Sequence, residues 1–199
     1  MSFFELPPEP DEEDDEDEIP TPEWAGQASN ELGVEIPFHQ VVGESDDAVV
    51  ALQSVTAYSN GLTFHLAARA KREPVFPDPD DFDRDPSEMF AYHNPHSPKF
   101  VRFGLQFPDG SKVTNVAASP DWWDEDAAQP DGPVLIGDPE ADGWNSDATA
   151  VDLDYWLWPL PSDSSVRVVV EWPAEGIAET SLELDITPLL AASAIDTRF

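Results

Sequence analysis

The chain has 199 residues, 40% of them hydrophobic, so it can bury one sizeable core but is too short for two ordinary domains. Its 42 acidic and nine basic residues give a formal net charge of −33, which repels nucleic acid and anionic membrane surfaces. There is no cysteine, which excludes disulfide bonds and thiol chemistry. We therefore expect neither direct nucleic-acid binding nor membrane association.

The N-terminus has neither the basic nor the apolar region of a secretory signal, and no stretch approaches about 18 consecutive apolar residues. These features predict a cytoplasmic protein. The acidity itself has two explanations. It can serve recognition of a basic partner, or it can reflect a high-salt habitat in which acidic surfaces are general.

Residues 1–30 are predicted to form an acidic, proline-rich tail that is largely disordered. The first 23 residues contain five prolines, eleven acidic residues and no basic residue, and they include the unbroken run Asp11–Glu18. Such a composition cannot bury enough apolar surface to offset the entropy of ordering. Phe3, Phe4 and Trp24 interrupt the polar pattern, and they are candidates either for anchoring a partner or for packing on the chain's own domain.

A hairpin is predicted where two alternating runs flank Asn60-Gly61. The first run is VVALQSVTAYS, residues 49–59, and the second is LTFHLAARAK, residues 62–71. Asn-Gly between two such runs is typical of a two-residue turn in which both residues have φ > 0.

The same periodicity predicts six further strands. One is LGVEIPFHQVV near the start of the chain, and the other five come later. KFVRFGLQF and SKVTNVA flank Pro108-Asp109-Gly110, and DLDYWLWPL, SSVRVVVEW and ETSLELDI succeed one another later in the chain. Turn signals about every ten residues predict an all-β fold. We expect a single antiparallel β-sandwich of about eight strands, Ig-like or related, over residues 31–187. Residues 188–199 are expected to form a short C-terminal helix and tail, with Thr187 as N-cap and Pro188 at the first helical position.

Five segments carry a resemblance to a group of uncharacterised actinobacterial proteins with an all-β domain. They are PEWAGQASNELGVEIPF, DDAVVALQSVTAYSNGLTFHLAARAK, VRFGLQFPDGSKVTNV, YWLWPLP and VVVEWPAEGIAETSLELDITPL. The resemblance covers most of residues 22–190 and implies one domain. It implies no activity and no functional residues.

Two long segments without strand periodicity, residues 71–98 and 118–152, are where a site is expected, because loops of this length in small domains are often functional. The first contains carboxylates that could bind Ca²⁺ and a histidine pair that could bind Zn²⁺. These candidate metal ligands are Asp78, Asp80, Asp81, Asp83, Asp85, His93 and His96.

Neither metal site matches a known ligand pattern. A calcium loop of the EF-hand type needs glycine at its sixth position and glutamate at its twelfth, and counting from Asp81 these positions hold Pro86 and Tyr92. The two histidines lie in a proline-broken loop, without a recognisable set of three or four zinc ligands. We therefore expect a solvated acidic loop and no resident cofactor, with Ca²⁺ or Zn²⁺ as the alternatives.

Tryptophans supply the remaining candidate sites. Trp156 and Trp158 share one face of a strand whose other face carries Tyr155 and Leu157, and we expect the two tryptophans to pack between two sheets. Trp122, Trp123 and Trp144 lie in the second long segment. They could stack on a sugar ring, anchor a protein partner or fold back as a lid.

The sequence does not indicate an enzyme. It has no cysteine, no G-x-S-x-G motif and no glycine-rich phosphate loop, and carboxylates are too abundant to point to a catalytic pair. We expect a non-enzymatic binding or assembly module that recognises a basic protein through its acidic surface. The alternatives are a carbohydrate- or small-ligand-binding sandwich that uses the loop tryptophans, a nucleic-acid mimic that binds a basic protein, and a metal-dependent enzyme.

Overall fold

The computed structural model describes residues 21–71, 94–117, 120, 128–137, 150–195 and 198. In these residues the chain is mostly β, with two antiparallel sheets and one short α-helix at the C-terminal end. The strands are β1 (Val34–Glu44), β2 (Ala48–Ala57), β3 (Leu62–Ala70), β4 (Arg102–Gln106), β5 (Lys112–Thr114), β6 (Val134–Gly137), β7 (Ala150–Trp158), β8 (Ser165–Trp172) and β9 (Ile177–Asp185). The α-helix, α1, is Thr187–Ser193, and a 3-10 turn covers Pro173–Glu175.

The first sheet has five strands in the order β1-β2-β3-β7-β6, and the second has four in the order β5-β4-β8-β9. At the edges of the two sheets β1 contacts β8 and β9, and β5 contacts β6. Every pairing is antiparallel. The all-β prediction and the short C-terminal helix are confirmed.

One hydrophobic core joins the two sheets, because alternate residues of the strands face inward from both. Phe103 of β4 is its aromatic centre. Its ring stacks on Tyr155 of β7 at a centroid distance of 4.9 Å and lies 5.9 Å from the ring of Phe64 on β3. Both partners belong to the five-stranded sheet, so these contacts run directly between the sheets. Trp172 at the end of β8 is also fully buried, and its Nε1–H donates to the Lys99 carbonyl.

Both predicted hairpins are present. In the β4–β5 hairpin, Gly110 has φ of 90°, and the Asp109 carboxylate accepts hydrogen bonds from the Ser111 backbone and hydroxyl groups. These bonds hold the pKa of Asp109 below its usual value.

The turn of the β2–β3 hairpin differs from its prediction. Residues 58–61 all lie between the strands, the Tyr58 N–H donates to the Gly61 carbonyl, and neither Asn60 nor Gly61 has a left-handed φ. Gly61 is required for another reason. A Cβ atom there would lie 2.4 Å from the Leu157 carbonyl oxygen and 2.6 Å from the Trp156 ring. Close approach of the backbone to β7, not φ, selects glycine here.

The described residues contain nine strands where about eight were expected, because β6 lies in the predicted irregular segment 118–152. The sequence VLIG is only four residues long, too short to show an alternating pattern. β6 pairs with β7, so β7 is an interior strand that ends at Trp158, immediately before Pro159.

The expected orientation of β7 is wrong. Tyr155 and Leu157 face the core between the sheets, whereas Trp156 is buried in a separate cluster on the opposite face of the five-stranded sheet. The prediction of which residues share a face was correct. However, both faces of this strand are apolar, and alternation alone does not show which face contacts the second sheet.

Helix α1 begins one residue earlier than predicted. Ile186 is its N-cap residue, Thr187 is the first helical residue, and the Thr187 N–H donates to the Asp185 carboxylate. Leu189 is fully buried in the main core, and α1 contacts β1 and β2.

Candidate functional site

The outward-facing side of the five-stranded sheet, here called the outer face, carries a polar row beside an aromatic cluster. The row crosses β1, β2, β3 and β7, and it follows from register: Glu35 pairs with Thr56, Ser54 with His65, and His65 with Asp154. Side chains that are paired in register stand on the same face of a sheet. The outer face is therefore the place where the structure brings several ionisable and hydroxyl groups together.

His65 is the centre of this row. Its Nδ1 lies 2.7 Å from Asp154 Oδ1, and its Nε2 lies 2.9 Å from Thr56 Oγ1. With a neutral ring, Nδ1–H donates to the carboxylate and Nε2 accepts from the threonine hydroxyl, whereas a protonated ring donates at both nitrogens. At the neighbouring position the Ser54 hydroxyl donates to the Glu35 carboxylate over 2.5 Å.

The pKa of His65 is raised above its usual value. The hydrogen bond to the Asp154 carboxylate is the largest cause, and the negative charges of Asp154 and Glu35 add to it, while partial burial opposes it. The ring therefore holds its proton to a higher pH than a free histidine does.

The order Thr56–His65–Asp154 resembles a nucleophile–base–acid relay, but its setting does not suit acyl transfer. Thr56 is only 9% exposed and is the next-to-last residue of β2, paired with Glu35 on one side and Thr63 on the other. The backbone amides around it therefore belong to the sheet ladder, whereas acyl transfer needs free N–H donors directed at a developing oxyanion. These hydrogen bonds order the outer face, and they supply no oxyanion site.

The aromatic cluster lies next to the polar row, toward the β2–β3 turn. Trp24, Ile136 and Trp156 are its buried members, and Tyr58, Val134 and Trp158 pack around them. Tyr58 meets Trp156 edge-on at 5.9 Å. Burial, followed by the charges of Glu31 and Asp154, raises the pKa of Tyr58. The field of these two carboxylates therefore reaches the aromatic cluster.

Residues 22–26, here called the strap, cover this cluster. Trp24 is 4% exposed, and its carbonyl accepts a hydrogen bond from Trp156 Nε1–H at 3.1 Å. Asn60 Nδ2 donates to the carbonyls of Glu23 and Gly26, at 2.9 and 3.0 Å. Trp24 was a candidate partner anchor, but in this arrangement its ring is turned inward. Residues 22–26, which were predicted to belong to the tail, thus pack on the sheet.

Glu31 fixes the chain between the strap and β1. Its side chain is almost fully buried, and its two oxygens accept hydrogen bonds from the Ser59 N–H at 2.8 Å and the Ser59 hydroxyl at 2.6 Å. Its backbone forms an isolated β-bridge with Arg198. The segment between Gly26 and Glu31 is therefore held at both ends.

Most of the site residues predicted from sequence lie outside the described residues. These are Phe3, Phe4, Asp78, Asp80, Asp81, Asp83, Asp85, His93, Trp122, Trp123 and Trp144. His96 is described. It is exposed in a turn in which its N–H donates to the Asn94 side chain. Within the described ranges, no group of three or more potential metal ligands comes together.

Sequence reasoning missed the polar row and the Glu31 contact. His65 and Asp154 are 89 residues apart, and only the pairing of β3 with β7 makes them neighbours. Both residues lie within predicted strands, but the expected orientation of β7 placed Asp154 on the inward face with Trp156. A sheet pairing would have been needed to join them.

The negative charge is unevenly distributed along the chain. The described residues contain 16 acidic and seven basic side chains, whereas the other 66 residues contain 26 acidic and two basic ones. Arg69, Arg102 and Arg167 each bond a carboxylate of a neighbouring strand. The described residues therefore carry a net charge of −9 and the other 66 residues carry −24, so most of the excess lies outside the described residues.

The residues that precede segment 72–93 and those that follow segment 138–149 lie at one end of the five-stranded sheet. This end, here called the Ser45 end, holds the β1–β2 turn at residues 45–47. Segment 72–93 follows Lys71, whose N–H donates to Asp47, and precedes Pro98, which accepts from Ala174 beside Ser45. Segment 138–149 connects β6 to the start of β7, which pairs with the end of β3 there.

Comparison of the chain with protein-family models, with curated proteins and with solved structures finds no match. In the part of the chain that the structure describes, there is no helix of the length and apolarity needed to span a membrane.

Proposed function

We propose that this chain is a non-enzymatic binding or assembly module that recognises a protein with a basic surface. In this proposal the two sheets form an Ig-like or related β-sandwich that acts in the cytoplasm. The sandwich presents acidic segments and an acidic N-terminal tail to the partner, and it binds nucleic acid only indirectly, through that partner.

The uneven distribution of charge along the chain is the observation that supports this proposal. The described residues already carry a net charge of −9, and the further excess of 24 negative charges in the remaining 66 residues opposes compaction. A basic surface would relieve this repulsion on binding.

Such recognition is dominated by long-range attraction and is therefore fast and sensitive to salt. Exposed charges are screened beyond about 8 Å at physiological ionic strength, so the attraction weakens steeply above it. The polar row of the outer face fits a structural role in this scheme, because it supplies ordered hydrogen bonds without the donors that acyl transfer needs.

Affinity capture with three full-length proteins tests the proposal. The first is the natural sequence, and in the second the eight acidic residues of Asp11–Glu18 are replaced by Asn and Gln. The third is a charge control with Asp46→Asn and Asp47→Asn at the Ser45 end. We expect the natural sequence to retain a basic protein at low salt, and the run variant to lose at least about tenfold in affinity for that purified protein.

Equal affinities of the natural and run-neutralised proteins would contradict a role for the run, and a captured set without basic proteins would contradict the proposal as a whole. Duplex DNA added as competitor distinguishes a nucleic-acid mimic. Displacement of the module by DNA from the purified partner would show that both use the same basic surface.

A further inference from the structure

The strap is attached to the folded body by side-chain hydrogen bonds and by burial of Trp24, without strand pairing. No described residue between 22 and 30 belongs to a strand. Trp24 belongs to the outer cluster, which is separate from the main core. Release of residues 22–26 would therefore break the hydrogen bonds from Trp156 and Asn60 and expose this cluster, but it would leave both sheet ladders and the core between them intact. Such a segment can open locally without global unfolding.

Negative charge is placed so that it opposes docking of the strap. Residues 1–20 contain ten acidic residues and no basic one, and Glu18 precedes Trp24 by six residues, which an extended chain spans in about 20 Å. The end of the acidic run therefore lies no farther than about 20 Å along the chain from Trp24. The outer face carries Glu31, Asp154 and Glu35 around the cluster.

Ionic strength decides how strongly this repulsion acts. Charges about 20 Å apart interact at about 0.01 M salt, where the screening length is about 30 Å, and hardly interact at 0.15 M, where it is about 8 Å. The burial of one indole ring is opposed at all salt concentrations by the entropy of ordering the strap backbone. The balance between docked and released states is therefore open to control by the charge of the tail.

We propose that residues 22–26 form a salt-gated strap, which docks Trp24 on Trp156 when the charge of the N-terminal run is screened or neutralised and releases it when that charge is unscreened. The strap couples the charge state of the tail to exposure of an aromatic surface on the outer face. This device operates within one chain and requires no partner.

Hydrogen exchange of two indole N–H groups in the full-length protein tests the strap, with an internal control. Trp156 Nε1–H donates to Trp24 on the strap, whereas Trp172 Nε1–H donates to Lys99 beside the main core. Between about 0.5 M and 0.01 M NaCl we expect exchange of Trp156 Nε1–H to accelerate at least tenfold, while that of Trp172 Nε1–H changes by less than about twofold.

Two full-length variants locate the cause. Replacement of the acidic residues in Asp11–Glu18 by Asn and Gln is expected to abolish the salt dependence at Trp156, whereas Asp46→Asn with Asp47→Asn, at the opposite end of the sheet, is expected to preserve it. The proposal is overturned by a rate at Trp156 that does not respond to salt. It is also overturned by a parallel response of both indoles, which indicates global destabilisation, or by salt dependence that survives neutralisation of the run.

A lysine peptide added at low salt extends the test to a partner. We expect it to restore slow exchange at Trp156 in the natural sequence and to have no effect on the run-neutralised variant. This arm rests on the proposed function. If exchange at Trp156 responds to NaCl but not to the peptide, the result contradicts recognition of a basic partner and supports the salt-gated strap.

Discussion

The two faces of strand β7 carry aromatic clusters that are stabilised in different ways. On the inner face, Tyr155 stacks on Phe103 of the opposite sheet and belongs to a core to which both sheets contribute. On the outer face, Trp156 is covered by Trp24 from a strap that belongs to no sheet. These adjacent residues are buried to the same extent, 6% exposed in each case. The opposite sheet covers Tyr155, whereas the strap covers Trp156. Burial by itself does not tell how strongly a side chain supports the fold.

The inner cluster is expected to be the more sensitive one, and Phe103→Ala tests it. Phe103 is 1% exposed and contacts the other sheet through both Phe64 and Tyr155, so removal of its ring leaves a cavity between the sheets. We expect the free energy of unfolding to fall by about 3–5 kcal/mol. Denaturant unfolding followed by far-UV circular dichroism measures this loss, and Phe103→Leu, which keeps most of the volume, should lose less. A loss below about 1 kcal/mol would contradict a single core shared by the sheets.

Gly61 lies at the boundary between the two clusters, and Gly61→Ala is expected to disturb both. The new Cβ atom would meet the Leu157 carbonyl, which is backbone and cannot move aside alone, as well as the Trp156 ring. We expect destabilisation by about 1–3 kcal/mol. Gly132→Ala is the matched control, because its Cβ atom would meet nothing within 4 Å. Equal stabilities of the two variants would show that close packing does not select glycine at position 61.

Trp24→Ala is expected to have a smaller effect than either change, although its side chain is as large as any in the protein. Loss of the ring can cost no more than the net free energy of docking the strap, because the released strap leaves the sheets intact. We expect a loss of about 1–2 kcal/mol, with an unchanged far-UV spectrum. If Trp24→Ala proves as damaging as Phe103→Ala in the same denaturation experiment, the strap is an integral part of the fold.

The polar row of the outer face predicts a small dependence of stability on pH. The pKa of His65 is raised in the folded state, so its contribution is fully present below the unfolded value of about 6.5 and is lost as pH rises through the folded pKa. The natural protein should therefore lose stability relative to His65→Gln between about pH 6 and pH 9. Asp154→Asn, which removes the largest cause of the shift, should reduce this difference. Thermal unfolding of the three proteins at both pH values measures the effect, and parallel curves would exclude a raised pKa.

The elements predicted from local pattern were those whose signals lie within one strand or one turn. Alternation correctly predicted most of the strands, and Asn60-Gly61 correctly predicted the position of a hairpin. The turn of that hairpin has four residues and not the expected two. Strand β6 was missed because four residues are too few for a period to be seen. The orientation of β7 was missed because its two faces are equally apolar, so only the partners that cover them distinguish inside from outside.

The sequence by itself determined the β class and the excess of negative charge, because composition and period-two alternation are local properties. Only the tertiary structure decided that His65 lies between Thr56 and Asp154, that Glu31 holds Ser59 and that Trp24 covers Trp156. Each of these contacts joins residues that are 9 to 132 positions apart in the chain. Their proximity depends on strand order and register, which are fixed by the burial of whole sheet faces and not by the residues that the contact brings together.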